Sequence, residues 1–468
     1  VNKQTKLKIA LPKGRLLGET AALLSRAGWG LDGYQEQTRF YYIESKTLPQ
    51  LSARVFHEKD IPIQVAIGNY DLGICGSDWI EELLAKYPSS ALMKVKDLKY
   101  GEGALYAAAS TAGTVTAIRA RPGTIRIASE YPNLAESFAI NARLKHFSVF
   151  PLWGGAEVYP PESADLALVG TAEEFPFSLT PISRVLSVSA CLIANRDNWK
   201  AKELSQMVAP IEQALMPEKA ARKPEAEKRA STKAVRYPEA DKDTVRLALP
   251  DGHQQVPTQQ LLDKAGVHLD DYPSEKGNRR PSVNLEGFSV KVIRPQDMPP
   301  QVANDNFDLA ITGQDWLTEH LCQFPSSPVK ELANLKLGRV KVVAVVSQEL
   351  DIADIRDLSD SERALPLRVA SEYINIADRY ARDNRLNRYR LIPTWGASEA
   401  FLSEDADLLI ENTQTGRTLA QHNLKIIDTL FESTTCLIGS TRQVASPAKK
   451  ERMESITKTL RRAAEEIS

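Results

Sequence analysis

The sequence predicts an α/β fold carried as two tandem copies, and three observations support that expectation. Short β-branched or apolar runs, Leu7 to Leu11, Leu72 to Cys75, Ile125 to Ala128 and Leu166 to Val169, alternate with amphipathic helical stretches. That alternation is the pattern of parallel α/β sheets. A series of landmarks in the first half then recurs, in order, through the second. Finally, 468 residues exceed what a single hydrophobic core supports, so at least two domains are expected.

The repeat opens with Lys8-Ile9-Ala10-Leu11-Pro12, which returns as Arg246-Leu247-Ala248-Leu249-Pro250, with Gly14 and Gly252 two residues on. Asp60-Ile61-Pro62 and Asp71-Leu72-Gly73-Ile74-Cys75-Gly76-Ser77-Asp78-Trp79 return as Asp297-Met298-Pro299 and Asp308-Leu309-Ala310-Ile311-Thr312-Gly313-Gln314-Asp315-Trp316. Further pairs are Ser129-Glu130-Tyr131 with Ser371-Glu372-Tyr373, Trp153-Gly154 with Trp395-Gly396, Glu157 with Glu399, and Cys191-Leu192-Ile193 with Cys436-Leu437-Ile438. The domains therefore read as 1–215 and 244–468, joined by a charged linker over 216–243 that is poor in large apolar residues.

Local signals place several helices. One runs from Leu16 to Arg26 and ends at Gly28; another covers Trp79 to Ala85 with Ser77 or Asp78 as its cap. A helical pattern from Trp199 to Leu215 closes the first copy, and Pro447 to Ile467 closes the second in the same way. Strand ends followed by helix starts are where such sheets bind ligands, because unpaired N–H groups face an anion there.

Apolar residues make up 43% of the chain, charged residues 25%, and the formal net charge is -1. No global basic field recruits nucleic acid or an anionic membrane, so any phosphate binding is local. No stretch approaches the roughly 18 uninterrupted apolar residues of a membrane span, and a cytoplasmic location is the expectation. The four cysteines and six histidines are scattered without metal-ligand spacing, which argues against a histidine or cysteine metal centre and for reduced thiols.

Two segments carry candidate chemistry. Lys13-Gly14-Arg15 stands just past the first strand and opens a helix, so two cations and a flexible glycine sit where backbone N–H groups point outward. A phosphate or pyrophosphate is the natural partner; a solvated helix start is the alternative. The second copy has Asp251-Gly252-His253 there, and a carboxylate in place of lysine should repel a polyphosphate. The other segment, Glu411-Asn412-Thr413-Gln414-Thr415-Gly416-Arg417-Thr418, follows the apolar strand Leu408 to Ile410. An acid and then a hydroxyl-rich turn suits a sugar phosphate, the acid accepting from ribose hydroxyls; a polar loop capping a helix is the alternative. In the first copy the matching stretch has Glu173 and Glu174 where phosphate would sit. Trp153 and Trp395 read as packing residues before stacking platforms, and Glu157 and Glu399 as either ribose or Mg²⁺ contacts or helix caps.

These residues resemble the ATP phosphoribosyltransferases that open histidine biosynthesis. The resemblance covers nearly all of both copies, through Leu11 to Leu16, Asp60 to Pro62 with Asp71 to Asp78, Arg126 to Leu134, and Glu399 with Asp407 to Leu419. It implies two-lobed domains of the type II periplasmic-binding-protein kind, here paired as an intramolecular pseudo-dimer. It also implies a glycosyltransferase in which N1 of ATP attacks C1 of phosphoribosyl pyrophosphate, with Mg²⁺ assisting departure of pyrophosphate. Carried over residue by residue, Lys13, Gly14, Arg15 and Arg39 match the polyphosphate side, with Arg15 and Arg39 as the catalytic cations. Glu411, Thr413, Gln414, Thr415, Gly416, Arg417 and Thr418 match the phosphoribosyl loop. Glu411 stands where the family has Asp, and Gln414 and Arg417 where small residues are usual. Arg279 or Arg280 is the counterpart of Arg39 in the second copy.

The expectation is one composite site, with first-copy cations served by the second-copy loop. The implied partners are ATP and phosphoribosyl pyrophosphate, with a regulatory subunit or a homo-oligomer of pseudo-dimers left open; both copies end in a closing helix with no regulatory domain after it. Two other readings stay open, a non-catalytic regulatory paralogue that senses a nucleotide or amino acid, and a phosphoribosyltransferase for another acceptor.

Overall fold

The computed structural model describes residues 6–35, 41–171, 179–202, 204–215, 242–275, 277–359, 365–396, 398–402, 404–444 and 446–467. They group into two compact units. One comprises described residues of Val1–Pro151, Ala164–Arg236 and Trp395–Ala400; the other comprises those of Leu152–Ser163, Tyr237–Thr394 and Phe401–Ser468. Each unit thus includes a short stretch that belongs, by sequence, to the other repeat. The two stretches start from the matching Leu152-Trp153 and Trp395 positions.

The first unit has two sheets. In spatial order the first consists of Tyr42–Glu44, Leu51–Phe56, Leu7–Pro12, Leu72–Gly76, Ala190–Asn195 and Leu92–Asp97. The second consists of Thr180–Val188, Gly103–Ala109, Leu166–Thr171, Ile125–Ser129 and Phe147–Pro151. The second unit repeats this scheme. Phe288–Ile293, Val245–Pro250, Leu309–Gly313, Thr435–Ser440 and Val329–Asn334 form one sheet, and Tyr389–Pro393, Leu367–Ser371, Leu408–Thr413, Val340–Ser347 and Leu424–Ser433 form the other. Each sheet carries its own apolar core. Two cores per unit make two lobes, the architecture the resemblance implies.

The sheets are mixed, which corrects the expectation of parallel ones. The chain leaves the first lobe after Leu92–Asp97, builds the second, and returns as Ala190–Asn195, which inserts antiparallel between Leu72–Gly76 and Leu92–Asp97. A strand arriving from the opposite lobe enters the sheet in the opposite sense. Parallel register is pinned by an aspartate just before one strand that accepts the backbone N–H at the start of its neighbour. Asp71 does this for Lys8 at 2.9 Å, and Asp165 for Arg126, Asp308 for Arg246 and Asp407 for Arg368, each at 2.8 Å. A one-residue slip would break that bond and turn the apolar face outward.

The first helix is Leu17–Arg26, with Leu16 at its cap and 1% exposed. The next begins earlier than read, as Ser77–Lys86 with Gly76 at the cap, because the Asp78 carboxylate is engaged elsewhere and does not cap. The two closing segments differ. Pro447–Ile467 is one helix of 21 residues, whereas the first copy has Arg196–Ala201 and Ser205–Ala214, with Leu204 drawn into the lobe core at the break.

Candidate active site

In the first unit the Lys13-Gly14-Arg15 turn follows the strand Leu7–Pro12, and Gly14 takes φ +86°, a left-handed conformation that glycine adopts without steric cost. Arg15 grips Glu58 through Nε at 3.1 Å and Nη2 at 3.0 Å, and reaches Asp78 through Nη2 at 3.3 Å. Asp78 also accepts from the Tyr131 hydroxyl at 2.8 Å, so the two lobes meet on this carboxylate. Burial by itself would lower the pKa of Arg15, but Asp78 and Glu58 outweigh it and the net shift is upward. Glu58 is pushed up by burial, against the pull of Arg15.

Gly76 is required here by close approach: a Cβ at this position would run into the Asp78 carboxylate and the Arg15 guanidinium. Beside the cluster Lys59 pairs with Glu130 at 3.2 Å and lies 4.8 Å from the Trp79 ring, which stacks on Tyr131 at 4.2 Å. Lys13 Nζ stands 5.9 Å from the ring of Tyr41, whose hydroxyl pKa is raised by burial and by Glu399. Glu399 thus acts within the first unit, although it belongs to the second repeat by sequence.

The second unit keeps the aspartate-tyrosine bridge and changes its surroundings. Asp315 accepts from Tyr373 at 2.6 Å and from the Ser433 hydroxyl at 2.9 Å, while Asn412 donates to the Tyr373 oxygen at 2.7 Å. A cavity of about 160 Å³ lies here, lined by Asp251, His253, Arg294, Gln296, Trp316, Glu372, Asn412 and Thr434 among others. Asp251 is not a bare carboxylate: Arg279 meets it at 3.1 Å and Arg294 at 3.3 Å. This corrects the simple repulsion expected of it, because two guanidinium groups offset its charge. Of the two proposed counterparts of Arg39, Arg279 binds Asp251, and Arg280 is committed to Glu162 at 2.8 Å and to the carbonyls of Val158 and Pro160.

The strand preceding the second segment is Leu408–Thr413, longer than read, so Glu411 lies in the strand opposite Val343 and not in the turn. Its carboxylate accepts from the Asn412 N–H at 2.9 Å. The turn closes on itself: Thr413 Oγ1 accepts from the Gly416 N–H at 2.9 Å, and Gly416, at φ +70°, caps the short helix Arg417–Gln421. Gln414, Thr415, Arg417 and Thr418 are exposed, and the cavity wall includes Asn412. Arg39, Glu173 and Glu174 lie outside the described residues.

Sequence reading missed Glu58, Lys59, Asp78 and Tyr131 as one cluster. The available signal was a contrast between repeats, His57-Glu58-Lys59 against Arg294-Pro295-Gln296, flanked by matching residues on both sides. Among the described residues, no helix is long and apolar enough to cross a membrane.

Tandem two-lobed α/β units, one with a cationic turn and the other with a hydroxyl-rich turn at its strand ends, define a duplicated α/β protein with clefts between paired lobes. The chain belongs to the ATP phosphoribosyltransferase family, whose model matches residues 57–215 and again 294–462. That family consists of phosphoribosyltransferases, enzymes of the glycosyltransferase type, and two matches in one chain establish the tandem duplication. The chain is 30% identical over 229 residues to the ATP phosphoribosyltransferase of Prosthecochloris aestuarii, covering 48% of this chain and 73% of that protein. It is 30% identical over 226 residues to that of Chlorobaculum parvum, covering 47% and 72%. Among solved structures, the ATP phosphoribosyl transferase (HisG:HisZ) complex from Thermotoga maritima aligns at 21% identity over 48% of this chain and 100% of that one, with a TM-score of 0.39.

Proposed function

We propose that this chain joins N1 of ATP to C1 of phosphoribosyl pyrophosphate, and that its two repeats contribute unequally. The N1–C1 bond forms as the C1–O bond breaks, and pyrophosphate leaves with the bonding electron pair. The chemistry asks for stabilisation of leaving-group charge and not for a covalent nucleophile. Lys13 and Arg15 supply that charge in the first repeat, with Glu58 fixing the plane of the Arg15 guanidinium through two hydrogen bonds. In the second repeat, Glu411 and the turn from Thr413 to Thr418 are the residues that match the phosphoribosyl loop. Mg²⁺ travels on the polyphosphates as part of the substrate.

The observation that carries the unequal division is the exchange of Lys13-Gly14-Arg15 for Asp251-Gly252-His253, with Asp251 tied into its own ion pairs. The test is steady-state pyrophosphate release with phosphoribosyl pyrophosphate and a panel of nucleotides. Release with ATP supports the proposal, and release with a different acceptor replaces it. Binding of phosphoribosyl pyrophosphate without release under any nucleotide supports a non-catalytic paralogue instead.

A further inference from the structure

A second charged feature lies away from the cleft, at the other end of the first unit's second sheet. A cavity of about 270 Å³ is lined by Arg119, Arg121, Lys145 and His146 together with Ile125 and Leu144, which are 5% and 7% exposed. Ile125 and Phe147 are the paired first residues of two parallel strands, so this cavity sits at their amino-terminal ends. Tyr131, which reaches Asp78 in the cleft, follows the carboxyl-terminal end of the same strand. Five strand residues at about 3.3 Å each separate the two ends.

Among the described residues no side-chain hydrogen bond or ion pair engages Arg119, Arg121, Lys145 or His146. Three permanent cations this close together repel one another, and nothing in the chain's net charge of -1 explains their gathering. The second repeat differs at this corner. The turn that matches Arg119 to Gly123 there begins at Ser359, since Ile118 and Leu358 hold the same buried helix position and Asp354 stands at the position of Thr114. At the next strand start the residue matching Lys145 is Asn387, an alignment fixed by equivalent bonds, Ile125 N–H to His146 C=O and Leu367 N–H to Arg388 C=O. At that strand start the first repeat thus carries Lys145 where the second carries Asn387, while Arg388 stands at the position of His146. At the cavity edge Gly123 adopts φ +89°, and open space lies where its Cβ would project, so a ligand can approach the backbone there.

We propose that this cavity is a binding site for a small ligand bearing linked phosphates. The cations take the phosphate oxygens, arginine through its planar fork, and Ile125 and Leu144 offer apolar surface to any sugar or ring attached. The chemistry is shared by an inorganic polyphosphate and a nucleoside polyphosphate. The site stands apart from the transfer reaction and does not depend on which acceptor that reaction uses.

Calorimetry on the full chain at low salt tests it, with inorganic tripolyphosphate and ATP as separate probes. Three proteins are compared: the wild type, an Arg121→Ala/Lys145→Asn double variant, and Arg15→Ala. Tripolyphosphate uptake by the wild type should persist in Arg15→Ala and weaken by roughly tenfold or more in the double variant. Both substituted side chains are exposed, so thermal unfolding should be unchanged; an Arg121→Glu variant, which should abolish uptake, guards against a misfolded double variant. ATP binding more tightly than tripolyphosphate, with that advantage also lost in the double variant, assigns the site to nucleotides. Equal affinity assigns it to the phosphate chain alone, and either ranking supports the proposal. No uptake by the wild type, uptake unaffected by the double variant, or uptake lost entirely in Arg15→Ala would overturn it.

Discussion

Tyr373 donates its hydroxyl to Asp315 at 2.6 Å, tying the strand end of one lobe to the first turn of a helix in the other. Tyr131 makes the same bond to Asp78 at 2.8 Å. What differs is the aspartate's remaining partner, Ser433 in the second unit and Arg15 in the first. A second inter-lobe contact accompanies each bridge. Glu319 accepts from the N–H groups of Asn375 and Ile376, and Glu82 from those of Asn133 and Leu134, every bond at 2.9 Å, so a carboxylate of one lobe caps a helix of the other.

Tyr373→Phe should loosen the lobes of the second unit, since it removes a buried bond and deprives Asp315 and Asn412 of a partner. The expected cost is about 1–3 kcal/mol of stability, read by denaturant unfolding. The KM for phosphoribosyl pyrophosphate should rise as well. An unchanged unfolding midpoint would show that the bridge carries no weight.

Arg15→Ala should lower kcat by roughly a hundredfold if the guanidinium stabilises departing pyrophosphate. It also strands Glu58, 5% exposed, without its bidentate partner, so some stability should be lost. Arg15→Lys separates the two effects, restoring charge near Glu58 without the fork. Lys recovering stability but not kcat is the expected pattern, and full activity in Arg15→Ala would remove the residue from the mechanism.

Phosphosugar binding should depend on the second repeat alone. Glu411→Ala and Thr415→Ala should each weaken phosphoribosyl pyrophosphate binding by about 1.5–3 kcal/mol, whereas Glu173→Ala in the first repeat should be near neutral. In the Arg121→Ala/Lys145→Asn background, which removes the separate cationic cavity, calorimetric titration should return one equivalent per chain. Two equivalents, or equal losses from both repeats, would contradict the unequal division.

Glu162 should stabilise the second unit, although it belongs to the first repeat. Burial opposes its charge, but Arg280 at 2.8 Å and Lys291 at 2.8 Å outweigh burial and hold its pKa at about 2. Both pKa values fall, which favours the charged glutamate but disfavours the charged lysine: burial and Arg280 push Lys291 down to about 7. We assign the stabilisation to Arg280, whose charge is constant across this range. The folded pKa lies below the unfolded 4.5, so the contribution is complete above that pH and is lost as pH falls toward 2. Glu162→Gln should therefore reduce stability at neutral pH by on the order of 3 kcal/mol and flatten the acid limb of a stability-pH profile. A parallel downward shift of the whole profile would place the acid sensitivity elsewhere.

The repeat, its register and the α/β class were legible in the sequence because they rest on local periodicity. Apolar alternation is felt residue by residue, and the landmark pairs from Pro12 to Ile193 and Pro250 to Ile438 need no knowledge of contacts. The cationic turn was legible for the same reason: Lys13 follows a strand directly. Three features needed the tertiary structure. The return strands Ala190–Asn195 and Thr435–Ser440 read as ordinary apolar strands, and only the double passage between lobes makes them antiparallel insertions. The cluster of Arg15, Glu58, Asp78 and Tyr131 draws on four segments up to 116 residues apart, and no spacing rule links them. The grouping of Leu152–Ser163 with one unit and Trp395–Ala400 with the other is a tertiary outcome, and Glu162 with Arg280 is one ion pair that accompanies it. Sequence determines what each segment can form by itself; which carboxylate meets which guanidinium is decided by folding, where a buried charge persists only with a partner in reach.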